Sequence, residues 1–185
     1  LAVLTLGPRL HDQVFGQAES ELAGTLAYAA AIALKNAQLV EQLQSAATTD
    51  PLTGLSNRRA MEDRLAAELS RTHRHSIRTS VVMIDVDRFK LVNDTQGHAV
   101  GDRLLVELGR ILRQQCRSLD AVGRMGGDEF LVILPMTSAD EAMSFVDRVQ
   151  GAVGRLAAQF PEFGSPSLSM GIAEAPRHGK GPEQV

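Results

Sequence analysis

The stretch "RMGGDEFLVIL" (124–134) puts two glycines and two acids directly before a run of strand-forming residues. Gly126 and Gly127 can take the positive φ that a tight reversal demands, so the pattern predicts a β-hairpin with Asp128 and Glu129 at its tip. The acids either keep the turn hydrated or stand where a metal ion and a nucleotide are held. By itself the stretch leans to the hydrated turn. The surrounding chain shifts that balance.

Upstream, "IRTSVVMIDVD" (77–87) reads as a buried strand that ends in two acids. If it neighbours the hairpin, Asp85 and Asp128 converge beside an edge of a sheet. Hard divalent cations take oxygen ligands, often one or two carboxylates completed by phosphate oxygens. The turn-rich "RFKLVNDTQGHAVGD" (88–102) follows. Backbone N–H groups opening a helical turn around Arg88–Lys90 can hold phosphates, with Lys90 close by. Asp102 can accept two parallel hydrogen bonds, which suits the adjacent N1–H and amino group of guanine and repels adenine. Each residue also has a plainer role: a strand-terminal acid at Asp85, a cap on the helical turn at 88–95 for Asp87, an N-cap for the following helix at Asp102.

The remaining elements fall around this centre. A long helix is expected from about Glu19 to Ala47, with Leu22, Leu26, Ala29, Ala33, Val40 and Leu43 on a heptad seam and Asn36 in the remaining slot. That seam fits either a parallel dimer or packing on a preceding domain. Pro51 and Gly54 break it, and Ser56 or Asn57 can cap a helix over 58–74. An amphipathic helix runs through Leu104, Leu105, Leu108, Ile111 and Leu112, and another from roughly Ala139 to Ala158. "SPSLSMGIAEA" (165–175) is a last strand. The order predicts an α/β (α+β) palm-like, antiparallel-rich sheet covered by helices and preceded by a long connector helix.

Composition narrows the function. A formal net charge of −3 argues against a grip on nucleic acid driven by phosphate neutralisation. The single cysteine, Cys116, excludes an intramolecular disulfide and reads as a small buried residue. "LAGTLAYAAAIAL" (22–34) is shorter than the ~18–20 residues that span a bilayer. Residues 1–6 read as a strand running into a loop at Gly7-Pro8, the tail of a preceding domain, so a piece of a longer protein is expected.

Taken together, "DPLTGLSNRR", "IDVDRFKLVNDTQGHAVGD" and "RMGGDEFLVIL" resemble, in order and spacing, the GGDEF family of diguanylate cyclases, over about residues 48–175. The resemblance implies a cytoplasmic, dimeric enzyme that condenses two GTP into cyclic di-GMP and pyrophosphate. It implies two Mg²⁺ or Mn²⁺ ions per site held by Asp85, the Val86 carbonyl and Asp128. Asn93 and Asp102 would read guanine, Phe89 and Lys90 would hold phosphates, and Gly126 and Gly127 would admit the nucleotide. Glu129 would contribute to catalysis. "RSLD" (117–120) matches the family's RxxD inhibitory site, where Arg117 and Asp120, with Arg148, would bind the product. Residues 1–47 look like the end of a GAF-like sensory domain and its coiled-coil connector, and 48–185 like the GGDEF domain. The family's closing Lys and Arg segment has no match before Val185, which implies weak or no turnover for these residues alone. A non-catalytic receptor for GTP or cyclic di-GMP is the alternative.

Overall fold

The computed structural model describes residues 16–179, without the side chains of 40–46. The chain divides into two compact units, residues 1–45 and 46–185. The first carries most of helix α1 (Gln17–Thr48). Leu22, Leu26, Ala29, Ala33 and Asn36 are all exposed on it, while the Val40 and Leu43 side chains lie outside the described residues. The strand expected at residues 1–6 also lies outside them. Among the described residues no helix is long and apolar enough to cross a membrane.

The second unit is built on four strands: β1 (Thr79–Val86), β2 (Ala121–Gly126), β3 (Glu129–Pro135) and β4 (Leu168–Ala175). Their order across the sheet is β2-β3-β1-β4 and every pairing is antiparallel. Alternation along the strands sorts the side chains. Val82, Ile84, Val86, Phe130, Val132 and Leu134 face one large core, whose other wall comes from α4 (His98–Gln115) and α5 (Ala139–Gly154). Val81, Leu131 and Ile133 face the opposite way and meet Met61, Leu65 and Leu69 of α2 (Arg58–His75). Full burial of each such side chain stabilises by about 1.5–3 kcal/mol, so the strand periodicity alone fixes which face each residue takes. Phe130 and Val132 are fully buried on their face.

Helix boundaries show where local chemistry prevailed. Asn57 caps α2, its side chain accepting from the Ala60 N–H at 3.0 Å, as expected. Ser138 and Glu141 form a reciprocal capping box at the start of α5. That helix stops at Gly154 rather than Ala158. Arg155 N–H turns to the Ala152 carbonyl at 3.2 Å, and a short α6 (Leu156–Gln159) and a 3₁₀ turn (Pro161–Phe163) follow.

The 88–102 segment is more helical than its turn-forming residues indicate. It holds α3 (Phe89–Gln96) and the first turns of α4, with Gly97 at φ 87° as the hinge between them. Two capping expectations fail here. Asp102 sits inside α4, five residues into it, because the helix already starts at His98. Asp87 does not cap α3, whose N-cap is Arg88 in a left-handed conformation with no side-chain bond.

Candidate active site

The C-terminal end of β1 is where acids gather. The β1–β3 register sets Asp85 directly opposite Glu129, and Asp128 sits one residue earlier in the turn. Asp85 and Glu129 therefore share a face of the sheet. Partial desolvation, then the carboxylates of Asp128, Glu129 and Asp87, raise the Asp85 carboxyl above its ordinary value. Like charges so placed favour a bound cation. Among the described residues, no three His, Cys, Asp or Glu side chains stand close enough to cage a metal by themselves. Two carboxylates and a main-chain carbonyl suit Mg²⁺, which completes its shell with water and phosphate oxygens. Val86, whose carbonyl is the third candidate donor, is buried and pairs with Leu168 of β4.

Asp87 behaves differently from its neighbour. Ser167 and Ser169 donate their hydroxyls to its two oxygens at 2.6 and 2.5 Å. Those bonds hold its carboxyl below the ordinary range, with a smaller contribution from Arg88. Asp87 ties β1 to β4 and is spent on that task. A cavity of about 680 Å³ opens beside it, lined by Asp85, Val86, Asp87, Arg88 and Ser167 among others.

The hairpin tip is held from behind. Gly126 and Gly127 have φ of 143° and 53°, and the register slips between Arg124 and Gly126. Positive φ explains both glycines. Arg124 donates from Nε and Nη2 to the Gly127 carbonyl at 2.9 and 2.7 Å, and from Nη1 to both Asp50 oxygens at 3.3 and 3.2 Å. Asp50 also accepts from the Thr53 amide and hydroxyl at 2.8 and 2.7 Å. Burial alone would raise the Asp50 carboxyl, but the Thr53 bonds and the Arg124 guanidinium outweigh it and leave it lowered. Arg124 thus couples the "DPLTG" loop to the acidic turn. Sequence reasoning missed this pair. Both residues begin motif stretches, which was the only signal, since 74 positions separate them.

Phe89 and Lys90 open α3, so their N–H groups lie at a helix N-terminus immediately after β1. Asn93, on the same helix, packs against α4 at Gly101, the residue before Asp102 in the chain. The Ser167 and Ser169 contacts carried no sequence signal at all, because they arise only when β4 docks on β1.

The RxxD stretch forms a turn after α4. The Arg117 amide donates to Asp120 Oδ2 at 2.7 Å, and the Asp120 amide returns to the Arg117 carbonyl at 3.1 Å. Arg148, on α5, lies over the Phe145 ring at 5.8 Å and donates to the Ser144 carbonyl. Cys116 feels this group of charges. It is half-buried, and burial first, then Asp120, push its thiol up to about 12 against the opposing pull of Arg113 and Arg148. Asp120 and Arg148 are thereby within electrostatic reach of one residue.

Comparison with known proteins bears on this geometry. The family model for the diguanylate cyclase GGDEF domain matches residues 47–185. The chain belongs to the GGDEF-domain family. It is 38% identical over 144 residues to the probable diguanylate cyclase DgcC of Escherichia coli K12, covering 78% of this chain and 38% of that protein. With diguanylate cyclase TpbB of Pseudomonas aeruginosa it shares 39% over 150 residues, 80% of this chain and 34% of that one. With diguanylate cyclase DgcP of the same species it shares 40% over 114 residues, 62% of this chain and 17% of that one. The chain thus spans well under half the length of these curated relatives. Among solved structures, the coiled coil and GGDEF domain of DgcB from Caulobacter crescentus, in complex with c-di-GMP, aligns with a TM-score of 0.74 at 27% identity, covering 86% of each chain. The GGDEF domain of TpbB aligns with a TM-score of 0.64 at 39% identity, over 71% of this chain and 83% of that one.

Proposed function

We propose that this protein is a diguanylate cyclase, joining two GTP molecules into cyclic di-GMP. The 3′-hydroxyl of each GTP attacks the α-phosphorus of the other. Two phosphodiester bonds form, two pyrophosphates leave, and each hydroxyl gives up a proton. The observation that carries the reading is the cross-strand pairing of Asp85 with Glu129 beside Asp128. Asp85, the Val86 carbonyl and Asp128 would hold two Mg²⁺ or Mn²⁺ ions. Bound there, the ions supply charge neutralisation at the phosphoryl oxygens and a lowered pKa for the attacking hydroxyl.

The chain's own groups do the rest. Phe89 and Lys90 receive phosphate oxygens at the start of α3. Asn93 and Asp102 select guanine, and Gly126 and Gly127 let the nucleotide approach the hairpin backbone. Glu129 completes the acidic wall. Two copies must face each other, because one site supplies each half of a symmetric product. The exposed Leu22 and Leu26 of α1, on a heptad spacing, support pairing through that helix. We read residues 1–47 as the end of a GAF-like domain and its connector, and place the enzyme in the cytoplasm, where GTP is available.

Arg117, Asp120 and Arg148 we assign to product feedback. The relative DgcB has been solved in complex with c-di-GMP, which supports binding of the same product here. That site also supports the alternative of a non-catalytic receptor. Incubation of the full-length protein with GTP and Mg²⁺, followed by assay of cyclic di-GMP and pyrophosphate, separates the two. Product lost on Asp128→Ala establishes the cyclase. Retained cyclic di-GMP binding with no turnover at any protein concentration leaves the receptor.

A further inference from the structure

Helix α4 carries a glycine, Gly101, that its backbone does not need. Its φ lies outside the left-handed region, unlike Gly97 four residues earlier at 87°. An interior helical glycine weakens a helix relative to alanine, so room rather than conformation has to explain it. The neighbour that needs the room is Asn93. A Cβ on Gly101 would overlap Asn93 Oδ1 outright, and would stand 3.0 Å from Asn93 Cγ and 3.2 Å from Phe89 Cζ. The Asn93 amide is seated on bare α4 backbone. Among the described residues, its Oδ1 is also the one buried side-chain polar atom without a hydrogen-bond partner. Such an atom is costly, and a half-turn of the amide would exchange it for the nitrogen.

We propose that Gly101 is a positioning residue for base selection, acting through Asn93. The inference rests on the reading of Asn93 and Asp102 as contacts to guanine and adds what sets their relation. Guanine presents N1–H and its 2-amino group along one edge. The same amino group and the ring N3 lie along the next. A carboxylate accepts from the first pair. One atom of the Asn93 amide lies in the seat and the other is left for the second edge; after the half-turn that other atom is the oxygen, which accepts from the 2-amino group. Gripping one base from both edges requires the amide at a fixed separation from the carboxylate. Asp102 directly follows Gly101 in the chain, so the surface that seats Asn93 is continuous with the residue that carries the carboxylate. The missing side chain sets that separation. Gly109, in the same helix, has a different origin, because the atoms there are Leu55 and Thr53 of the preceding loop at 3.3 Å.

The test is titration of the protein with the α,β-methylene analogues of GTP and ITP, which do not release pyrophosphate. ITP lacks the 2-amino group. Gly101→Ala should weaken the GTP analogue by about tenfold and cut the GTP-over-ITP preference by a similar factor, the scale of one lost hydrogen bond. Its melting temperature should move by no more than a few degrees, since the helix-forming gain of alanine offsets the displacement of Asn93. In an Asn93→Ala background the same substitution should change neither quantity by more than about twofold. A second variant leaves position 101 untouched. Asn93→Gln keeps the amide but adds a methylene that the seat cannot accept, and should lose the preference as Asn93→Ala does. If Asn93→Ala lowers the preference while Gly101→Ala and Asn93→Gln keep it, the seat is refuted and base reading stands. If Asn93→Ala leaves the preference intact, base reading by Asn93 fails and this inference with it, while reading by Asp102 stands. An undiminished Gly101→Ala effect in the Asn93→Ala background would also overturn it, because Gly101 would then act on something else.

Discussion

The two ends of β1 use the same residue chemistry to opposite purposes. At the N-terminal end, every buried polar group has a partner. The Thr72 and Thr79 hydroxyls meet at 2.6 Å, Ser80 donates to the Thr137 carbonyl at 2.9 Å, and Glu174 accepts from the Ala139 amide at 2.8 Å. At the C-terminal end, Asp85 faces Glu129 and lies near Asp128, and its carboxyl is raised by burial and by these acidic neighbours. Three strands hold both ends in register, so the difference is not one of scaffold. One end is satisfied internally and stabilises the fold. The other leaves like charges together, which costs stability and creates a demand for an external cation. Even within that end, Asp87 is satisfied by two serines, unlike Asp85, whose carboxyl is raised by its acidic neighbours.

That contrast can be broken by substitution. The largest effect should come from Asp128→Ala, which removes a candidate metal ligand. Cyclic di-GMP formation should fall by about a thousandfold or more, while the melting temperature stays level or rises as repulsion is relieved. A fall in both would mean that the acids stabilise the fold and that the two ends are alike. Next is Arg124→Ala, which frees the Gly127 carbonyl and leaves Asp50 without its cation. Chemical denaturation should show a loss of about 2 kcal/mol, accompanied by reduced turnover as the hairpin tip loosens.

The Arg124 effect has a pH signature. Asp50 is lowered in the folded state, so its contribution is present above the ordinary carboxylate range and is lost as pH falls through the lowered value. Denaturation of the Arg124→Ala and parent proteins should therefore converge in acid. A gap that stays constant from neutral pH downward would remove Asp50 from the explanation.

At the other end of β1, Glu174→Ala should cost about 1–3 kcal/mol by stranding the Ala139 amide, with turnover per folded molecule unchanged. The smallest effect is expected for Asp87→Ala. Its hydroxyl bonds are partly exposed, and about 0.5–1 kcal/mol should be lost, read as a small drop in melting temperature. A larger loss there than at Glu174 would reverse the ranking of the two ends.

How much of this was legible beforehand differs by residue. Phe130, Val132 and Leu134 alternate with Leu131 and Ile133, and a period of two can only mean opposite faces of a sheet. Gly126-Gly127 announced the hairpin because few other residues reach positive φ cheaply. The helices around Leu65, Leu108 and Val149 were legible for the corresponding reason, their period of 3.6. The 88–102 segment is turn-rich in sequence because its Asn, Asp, Gly and Thr compete locally with helix beyond a first helical turn. Packing of Val92 and Val100 against the core outweighed that preference. Capping by Asp87 and Asp102 failed because a local rule was applied where a distant partner, or an earlier helix start, prevailed.

The sequence by itself determined the periodicities, the turn at Gly126-Gly127 and the presence of acids at the ends of two strands, since these depend on neighbours along the chain. Which acids meet was decided only by the tertiary structure. The register of β1 against β3 pairs Asp85 with Glu129, and the docking of β4 brings Ser167 and Ser169 to Asp87 across 80 and 82 positions. Arg124 reaches Asp50 in the same way. Contacts of that separation leave no local pattern, because each partner is chosen by the packing of a whole sheet and not by the residues beside it.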